Sequence, residues 1–113
     1  MLKFVVQCPQ RTYLPVSDTA NFFPVRRVYC VGRNYGDHAI EMGHNPDKEA
    51  PFFFQKNPDN LDPSGEFPYP PFSSNVQYEV ELAILLKAGG NNIDLDLALE
   101  KIYGYAVCLD MTR

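Results

Sequence analysis

Two strand-like segments carry the pattern that decides the fold, Gln77-Tyr78-Glu79-Val80-Glu81-Leu82 and Tyr105-Ala106-Val107-Cys108-Leu109-Asp110. Side chains alternate between the faces of a β-strand, so residues two apart share a face. The first segment therefore turns its apolar residues to one side, where we expect a core. Its glutamates, Glu79 and Glu81, point together to the other side.

Three carboxylates in these segments, Glu79, Glu81 and Asp110, form a candidate metal site. Like charges this close repel each other unless a cation neutralises them. If the fold brings Asp110 to the glutamates, the result is an all-oxygen pocket suited to Mg²⁺, Mn²⁺ or Ca²⁺. Alternatively, the glutamates belong to the solvated face of an amphipathic strand. In that case Asp110 pairs with Arg113 or with another arginine.

Length and composition restrict the class of protein. The chain has 113 residues, of which 45% are hydrophobic and 21% charged, values typical of one globular domain. A net charge of −4 without a Lys/Arg stripe argues against binding to nucleic acid. The apolar stretch at Phe4 is too short for a signal peptide, and no segment approaches the roughly 20 apolar residues that span a bilayer. We therefore expect a mildly acidic soluble protein that binds neither nucleic acid nor a membrane.

The cysteines indicate a reducing compartment. Cys8, Cys30 and Cys108 are an odd number with no C-x-x-C pair. Cys30 and Cys108 lie in apolar runs, where a buried reduced thiol is the ordinary explanation. The cytoplasm is the simplest location.

Turn and strand signals divide the chain into an N-terminal arm, residues 1–23 with one short strand, and a main part, residues 24–113. Strands with short helices predict a β-rich α+β fold. The predicted elements are strands over 25–32, 50–56, 76–87 and 102–109, helices over 35–42 and 95–101, and a long loop over 57–74.

The last predicted strand stands almost at the end of the chain, since only Met111, Thr112 and Arg113 follow Asp110. An apolar strand without a neighbour is prone to aggregate. We expect either that a partner chain covers it or that the chain is part of a longer domain.

A histidine and a glutamate offer acid–base chemistry near the middle of the chain. On a helix, His38 and Glu41 are three residues apart and lie on one face. A carboxylate that accepts one imidazole N–H leaves the other nitrogen free to take a proton from water. The alternative is an incidental ion pair on an exposed helix. The run Phe52-Phe53-Phe54 similarly fits either a pocket wall or core packing.

Five blocks, in order, resemble the fumarylacetoacetate hydrolase family, over roughly residues 24–113. They are Val28-Tyr29-Cys30-Val31-Gly32-Arg33-Asn34-Tyr35, His38-x-x-Glu41, Pro51-Phe52-Phe53-Phe54-x-Lys56, Tyr78-Glu79-Val80-Glu81-Leu82, and Gly104-Tyr105 leading to Asp110. Within the family, the segments 24–27 and 67–71 are most similar to fumarylpyruvate hydrolases.

The resemblance implies a role for each matching residue. It makes Glu79, Glu81 and Asp110 the ligands of a divalent metal, with Mg²⁺ expected, and His38 and Glu41 the catalytic pair. Four further residues are expected to border the active site and bind substrate: Arg33, Asn34, Tyr35 and Lys56. Asn57 departs from the family, which commonly has proline there.

The resemblance also implies a fold, an assembly and a reaction. The family fold is a mixed β-sheet roll, its members are usually homodimers, and its domain continues for about another hundred residues past the point matched by Arg113. The implied reaction is metal-dependent hydrolysis of a C–C bond in a 2,4-dioxo acid, such as fumarylpyruvate. Two alternatives stay open: oxaloacetate decarboxylation or oxo-acid isomerisation, and a non-catalytic fragment that binds metal or a full-length subunit.

Overall fold

The structure is a computed structural model, and it describes residues 1–32 and 50–113. The predicted helix over 35–42 therefore lies outside the described residues. Those residues form two compact units, 1–67 and 68–113, and they are rich in strand with little helix. The elements are β1 (Tyr13–Pro15), β2 (Phe22–Pro24), β3 (Val28–Gly32), β4 (Phe52–Lys56), a 3₁₀ helix (Pro58–Asn60), β5 (Gln77–Leu86), a second 3₁₀ helix (Leu95–Lys101) and β6 (Ile102–Thr112).

The first unit begins with a small hairpin. Strands β1 and β2 pair antiparallel with Leu14 opposite Phe23. The turn between them places Asp18 at a φ of 60°, a conformation that aspartate tolerates better than most residues. The prediction of a single short strand in the N-terminal arm was wrong, because the apolar stretch at Phe4 forms no strand and the hairpin lies further along the chain.

Strands β3 and β4 form the second ribbon of this unit. They pair antiparallel from Val28 opposite Lys56 to Gly32 opposite Phe52. Both strands were predicted, although β3 begins three residues later than expected. After β4, the Asn57 side chain accepts a hydrogen bond from the Asp59 N–H at 3.0 Å and so caps the first 3₁₀ helix.

The second unit contains the longest strands, β5 and β6, which pair antiparallel over nearly their whole length. A register shift interrupts the pairing between Leu85 and Leu86. The helix predicted over 95–101 is present as a 3₁₀ helix, and β6 extends three residues further than predicted, to Thr112.

The two faces of this ribbon differ in composition as the alternation predicts, but their exposure is not as expected. Tyr78, Val80 and Leu82, the residues expected in a core, are 66%, 64% and 58% exposed. The prediction of their burial was wrong for a physical reason. Among the described residues only Val25 is a buried apolar side chain, at 7% exposure. The described residues therefore leave the apolar side of the ribbon exposed.

Two smaller expectations concern the cysteines and the membrane. Within the described residues, Cys8, Cys30 and Cys108 take part in no disulfide; Cys8 is exposed, and Cys30 and Cys108, which were expected to be buried, are half-buried. Within residues 1–32 and 50–113, no helix has the length and apolar character needed to cross a bilayer.

Candidate metal centre

The pairing of β5 with β6 brings carboxylates from distant parts of the sequence together. Glu79 and Asp110 are direct cross-strand partners, although 31 residues separate them along the chain. Directly opposed residues in an antiparallel pair point to the same face, with Cβ atoms roughly 4.5–5.5 Å apart. The register therefore places the Glu79 and Asp110 side chains on one face, side by side.

Glu81 completes a patch of four positions on that face. Its cross-strand partner is Cys108, and it is a diagonal neighbour of Asp110, at a Cβ separation of roughly 7–8 Å. The patch thus has carboxylates at three corners and a thiol at the fourth. Glu79 is exposed, whereas Glu81, Cys108 and Asp110 are half-buried. It is therefore the less exposed face of the ribbon that carries the acids.

Small side chains extend this face beyond the carboxylates. Ala83 lies opposite Ala106, and Leu85 lies opposite Gly104. Since three of these four residues have at most a methyl group, the backbone next to the patch can be approached closely. A bound molecule with one end at the carboxylates would have room along this part of the ribbon.

The side chains themselves do not form a closed ligand set. Within the described ranges, no three His, Cys, Asp or Glu side chains are arranged to hold a metal ion. Opposed like charges in a sheet repel each other, which favours rotamers that separate the carboxylates. The backbone register nevertheless gives three carboxylates on one patch, and hard divalent cations prefer oxygen donors of this kind. The donor types present suit such an ion, whereas the side-chain arrangement does not form its site, and the assignment of the three residues as ligands stays a prediction.

The other predicted site residues divide into two groups. His38, Glu41, Arg33, Asn34 and Tyr35 lie outside the described residues. Lys56 is the last residue of β4, is exposed, and lies opposite Val28. It belongs to the first unit, whereas the three carboxylates belong to the second.

Sequence reasoning missed a close contact next to the predicted substrate-binding segment. Gly32, the residue before Arg33, lies opposite Phe52, and a Cβ atom at position 32 would overlap carbons of the Phe52 ring. The Phe52 ring also contacts that of Phe54, at a centroid distance of 5.9 Å. The signal was present in the sequence, since a glycine at the end of a strand can be matched with an aromatic residue across the ribbon.

A shallow groove of about 270 Å³ lies elsewhere in the first unit. It is lined in part by Arg11, Thr12, Val25, Arg26 and Asp59, none of which was a predicted site residue. The Thr12 hydroxyl donates to the Pro58 carbonyl at 3.2 Å and so ties the chain before β1 to the first 3₁₀ helix.

Most of the chain is similar to known proteins. Residues 27–113 match the family model described as fumarylacetoacetate (FAA) hydrolase C-terminal. A crystal structure of fumarylpyruvate hydrolase from Pseudomonas aeruginosa in complex with Mn²⁺ and pyruvate is 43% identical, with a TM-score of 0.89 over 97% of this chain and 49% of that one.

Two curated relatives have other activities in their names. A mitochondrial oxaloacetate decarboxylase of Dictyostelium discoideum is 42% identical over 89 residues, which are 77% of this chain and 40% of that protein. A mitochondrial oxaloacetate tautomerase of Mus musculus is 40% identical over 87 residues, which are 77% of this chain and 39% of that protein. The chain thus spans less than half the length of these relatives.

Proposed function

Because this chain belongs to the fumarylacetoacetate hydrolase family, we propose that it contributes the metal-binding part of an enzyme that hydrolyses a C–C bond in a 2,4-dioxo acid. The proposed substrate is an acylpyruvate, and fumarylpyruvate, which yields fumarate and pyruvate, is the specific candidate. The observation that carries the proposal is the β5–β6 register, with Glu79 opposite Asp110 and Glu81 on the same face.

The donor set and one relative support a divalent cation. Glu79, Glu81 and Asp110 would hold it through carboxylate oxygens, and Mg²⁺ or Mn²⁺ suits such ligands, with Ca²⁺ as an alternative. The similar Pseudomonas aeruginosa enzyme was crystallised with Mn²⁺ and pyruvate. A bound divalent ion would polarise the ketone oxygens of the substrate and stabilise the negative charge that develops there.

The proton chemistry is assigned to His38 and Glu41. We propose that Glu41 accepts a hydrogen bond from one imidazole nitrogen of His38, so that the other nitrogen takes a proton from water. The resulting hydroxide attacks the ketone carbonyl carbon distal to the carboxylate of the pyruvate part. The bond between that carbon and the neighbouring methylene carbon then breaks, and its electron pair goes to the pyruvate enolate. The proton held by His38 returns to the methylene carbon, which becomes the methyl group of pyruvate. Arg33, Asn34, Tyr35 and Lys56 are the proposed substrate-binding residues.

A second reaction is favoured by the named relatives. The same carboxylates would serve an oxaloacetate decarboxylase or an oxaloacetate tautomerase, since the Dictyostelium and mouse relatives carry those names at 42% and 40% identity. Oxaloacetate resembles an acylpyruvate in its 2-oxo acid end. The hydrolase, decarboxylase and tautomerase reactions differ in the bond that breaks. The carboxylate patch alone does not determine which bond that is.

A direct comparison of turnover tests the proposal. Fumarylpyruvate and oxaloacetate are each supplied with Mn²⁺ or Mg²⁺, to the chain alone and to the chain co-expressed with the second half of the Pseudomonas aeruginosa enzyme. We expect hydrolysis of fumarylpyruvate, measured by its loss of absorbance, to exceed both oxaloacetate reactions at least tenfold in kcat/KM. Faster pyruvate release or faster enol–keto conversion from oxaloacetate would overturn the hydrolase assignment. Binding of Mn²⁺ without any turnover would instead support a non-catalytic fragment.

Assembly and location complete the proposal. A homodimer is the proposed assembly, because members of the family are usually dimers. The cytoplasm is the proposed location, and the mitochondrion is the alternative because the Dictyostelium and mouse relatives are named as mitochondrial.

A further inference from the structure

The groove of the first unit is built from three separate segments of the chain. Two hydrogen bonds hold these segments together. The Val25 N–H donates to the Thr12 carbonyl at 2.9 Å, and the Thr12 hydroxyl donates to the Pro58 carbonyl at 3.2 Å. Val25 is also the buried apolar side chain of this unit, at 7% exposure. The groove is therefore a fixed part of the unit and not a chance gap between loops.

The register of the β1–β2 hairpin brings two arginines together in this groove. The backbone bond between Val25 and Thr12 extends the pairing of the hairpin by one residue past its last assigned pair. The next position along brings Arg11 opposite Arg26, and both residues line the groove, which we call the arginine groove. Directly opposed residues have Cβ atoms roughly 4.5–5.5 Å apart, and like charges in such a pair are destabilising.

The charge of the arginine groove is not balanced by the protein. Within residues 1–32 and 50–113, neither the Arg11 nor the Arg26 guanidinium makes an ion pair or a hydrogen bond. Asp59 also lines the groove, but in the same ranges no ion pair joins it to either arginine. The surrounding sequence is basic too, since residues 1–27 contain four Lys or Arg and one Asp in a chain of net charge −4. A bound anion would therefore be attracted to this groove and would remove the repulsion between the arginines.

We propose that the arginine groove binds the phosphate group of a small phosphate monoester. One guanidinium fork takes up both oxygens of a carboxylate, so a carboxylate would leave the second arginine without a partner. A phosphate monoester has three free oxygens and a charge of about −1.5 to −2 at pH 7. It can therefore bridge Arg11 and Arg26 and match their combined charge.

Asp59 and the size of the groove indicate the rest of the ligand. The Asp59 carboxylate repels a second anionic group but accepts hydrogen bonds from hydroxyl groups. The groove has a volume of about 270 Å³, slightly below the roughly 300–1,000 Å³ of pockets for drug-sized ligands. A phosphorylated short polyol or sugar has this combination of charge, hydroxyl groups and size. The proposal does not rest on the proposed reaction, because its residues belong to the first unit and the three carboxylates to the second.

A titration of the full 113-residue chain tests the arginine groove. Glycerol 3-phosphate is added without a divalent cation, and the backbone amide shifts of the isotope-labelled chain are followed by NMR. We expect saturable shifts at Arg11, Thr12, Val25 and Arg26. Fumarate, which has only carboxylates, should bind about tenfold more weakly. Equal affinity for fumarate overturns the assignment to phosphate, and the absence of a saturable shift overturns the site.

Neighbouring arginines provide the matched variants for this titration. Arg11→Gln and Arg26→Gln should each weaken glycerol 3-phosphate binding by about fivefold or more, because each removes one guanidinium fork. Arg27→Gln is the control, since Arg27 is adjacent and exposed but lies outside the groove. It should change the affinity by less than about twofold, as expected for a screened surface charge. An equal loss in all three variants would show general attraction of anions and would overturn the site.

Amide hydrogen exchange provides a second measurement that does not depend on the affinity. If the two arginines repel each other, Arg26→Gln should slow exchange of the Val25 amide in the ligand-free chain by about twofold. Saturation of the wild type with glycerol 3-phosphate should slow it in the same direction. Faster exchange in Arg26→Gln would overturn the premise of repulsion.

Asp59→Asn tests the part of the proposal that concerns the hydroxyl groups. The variant removes a negative charge, so inorganic phosphate should bind about twofold more tightly. The preference of the wild type for glycerol 3-phosphate over inorganic phosphate should fall, because the neutral amide is a weaker acceptor for the hydroxyl groups than the carboxylate is. An unchanged preference would overturn the role assigned to Asp59.

Discussion

The two longer ribbons, β3–β4 and β5–β6, differ in what fixes their register. In β5–β6, every second residue from Gln77 to Ala83 and from Gly104 to Thr112 is polar or small, and the residues between them are large and apolar. A one-residue slip would therefore move Glu79 and Glu81 to the face of the large apolar residues. In β4, Phe53 is 71% exposed and its neighbours Phe52 and Phe54 are 47% and 41% exposed, so large side chains occupy both faces. In β3–β4, the alternation of side chains therefore does not specify a register. The close fit of the Phe52 ring over Gly32 favours the observed register instead.

The largest effect is expected from a substitution in the carboxylate patch of β5–β6, because this ribbon carries the proposed metal ligands. Asp110→Asn removes one of three proposed ligand charges while it keeps the shape of the side chain. We expect Mn²⁺ affinity to fall by roughly 100-fold or more, since the loss of even an outer-shell partner costs 10–100-fold. Isothermal titration calorimetry with MnCl₂ measures the effect.

Two matched variants make this titration decisive. Cys108→Ala removes the thiol at the fourth corner of the same patch without adding an oxygen donor, and should alter Mn²⁺ affinity by less than about threefold, because a thiol is a poor ligand for a hard cation. Glu100→Gln removes an exposed carboxylate from the second 3₁₀ helix and should have no effect. If Asp110→Asn binds as tightly as Glu100→Gln, Asp110 is not a ligand.

Alternation explains why the sequence predicted which face of β5 carries the glutamates but not whether the other face is buried. The periodicity of two in Gln77–Leu82 assigns Glu79 and Glu81 to one face without any knowledge of the partner strand. The exact pairing of Glu79 with Asp110 could not be predicted, because register depends on long-range packing and on the turn between the strands. Burial of Tyr78 and Val80 was predicted wrongly, because alternation separates two faces but does not say what covers either of them.

Local signals account for the other successes and failures. Strands β3 and β4 were predicted from their β-branched and aromatic residues, and the helix at Leu95–Lys101 was predicted without its 3₁₀ geometry, which the sequence pattern does not encode. The β1–β2 hairpin was missed because its strands have three residues each, too few to show a period. The prediction for the catalytic pair His38 and Glu41 lies outside the described residues and stays a prediction.

The β3–β4 ribbon should respond to steric changes that β5–β6 would tolerate. Gly32→Ala adds a methyl group that overlaps the Phe52 ring. Overpacking of this kind costs about 1–3 kcal/mol, while replacement of glycine gains about 0.4–1 kcal/mol through the unfolded chain. We expect a net loss of about 1 kcal/mol in the free energy of opening, measured by amide hydrogen exchange over 28–32 and 52–56.

A second background identifies the cause of that loss. In a Phe52→Ala variant the ring is gone, so Gly32→Ala should become stabilising by about 0.5 kcal/mol, and the difference between the two backgrounds is the coupling energy. Gly104→Ala in β6 is the matched control, because nothing lies within 4 Å of a Cβ atom there. An equal loss in both backgrounds would show that overlap with the Phe52 ring is not the cause of the loss.

The smallest expected effect concerns Asn57, where β4 ends and the family commonly has proline. Asn57 has a φ of −71° and a ψ of 125°, and its side chain caps the first 3₁₀ helix. Asn57→Ala removes the cap, so protection of the Asn60 and Leu61 amides should fall by about 0.5–1 kcal/mol. Asn57→Pro also removes it, but this φ suits proline, and the gain through the unfolded chain of about 0.4–1 kcal/mol should leave protection almost unchanged.

Asn60→Ala, which keeps the cap, is the control. If proline destabilises as much as alanine does, the cap rather than backbone restriction dominates this junction, and the family's proline must be compensated elsewhere.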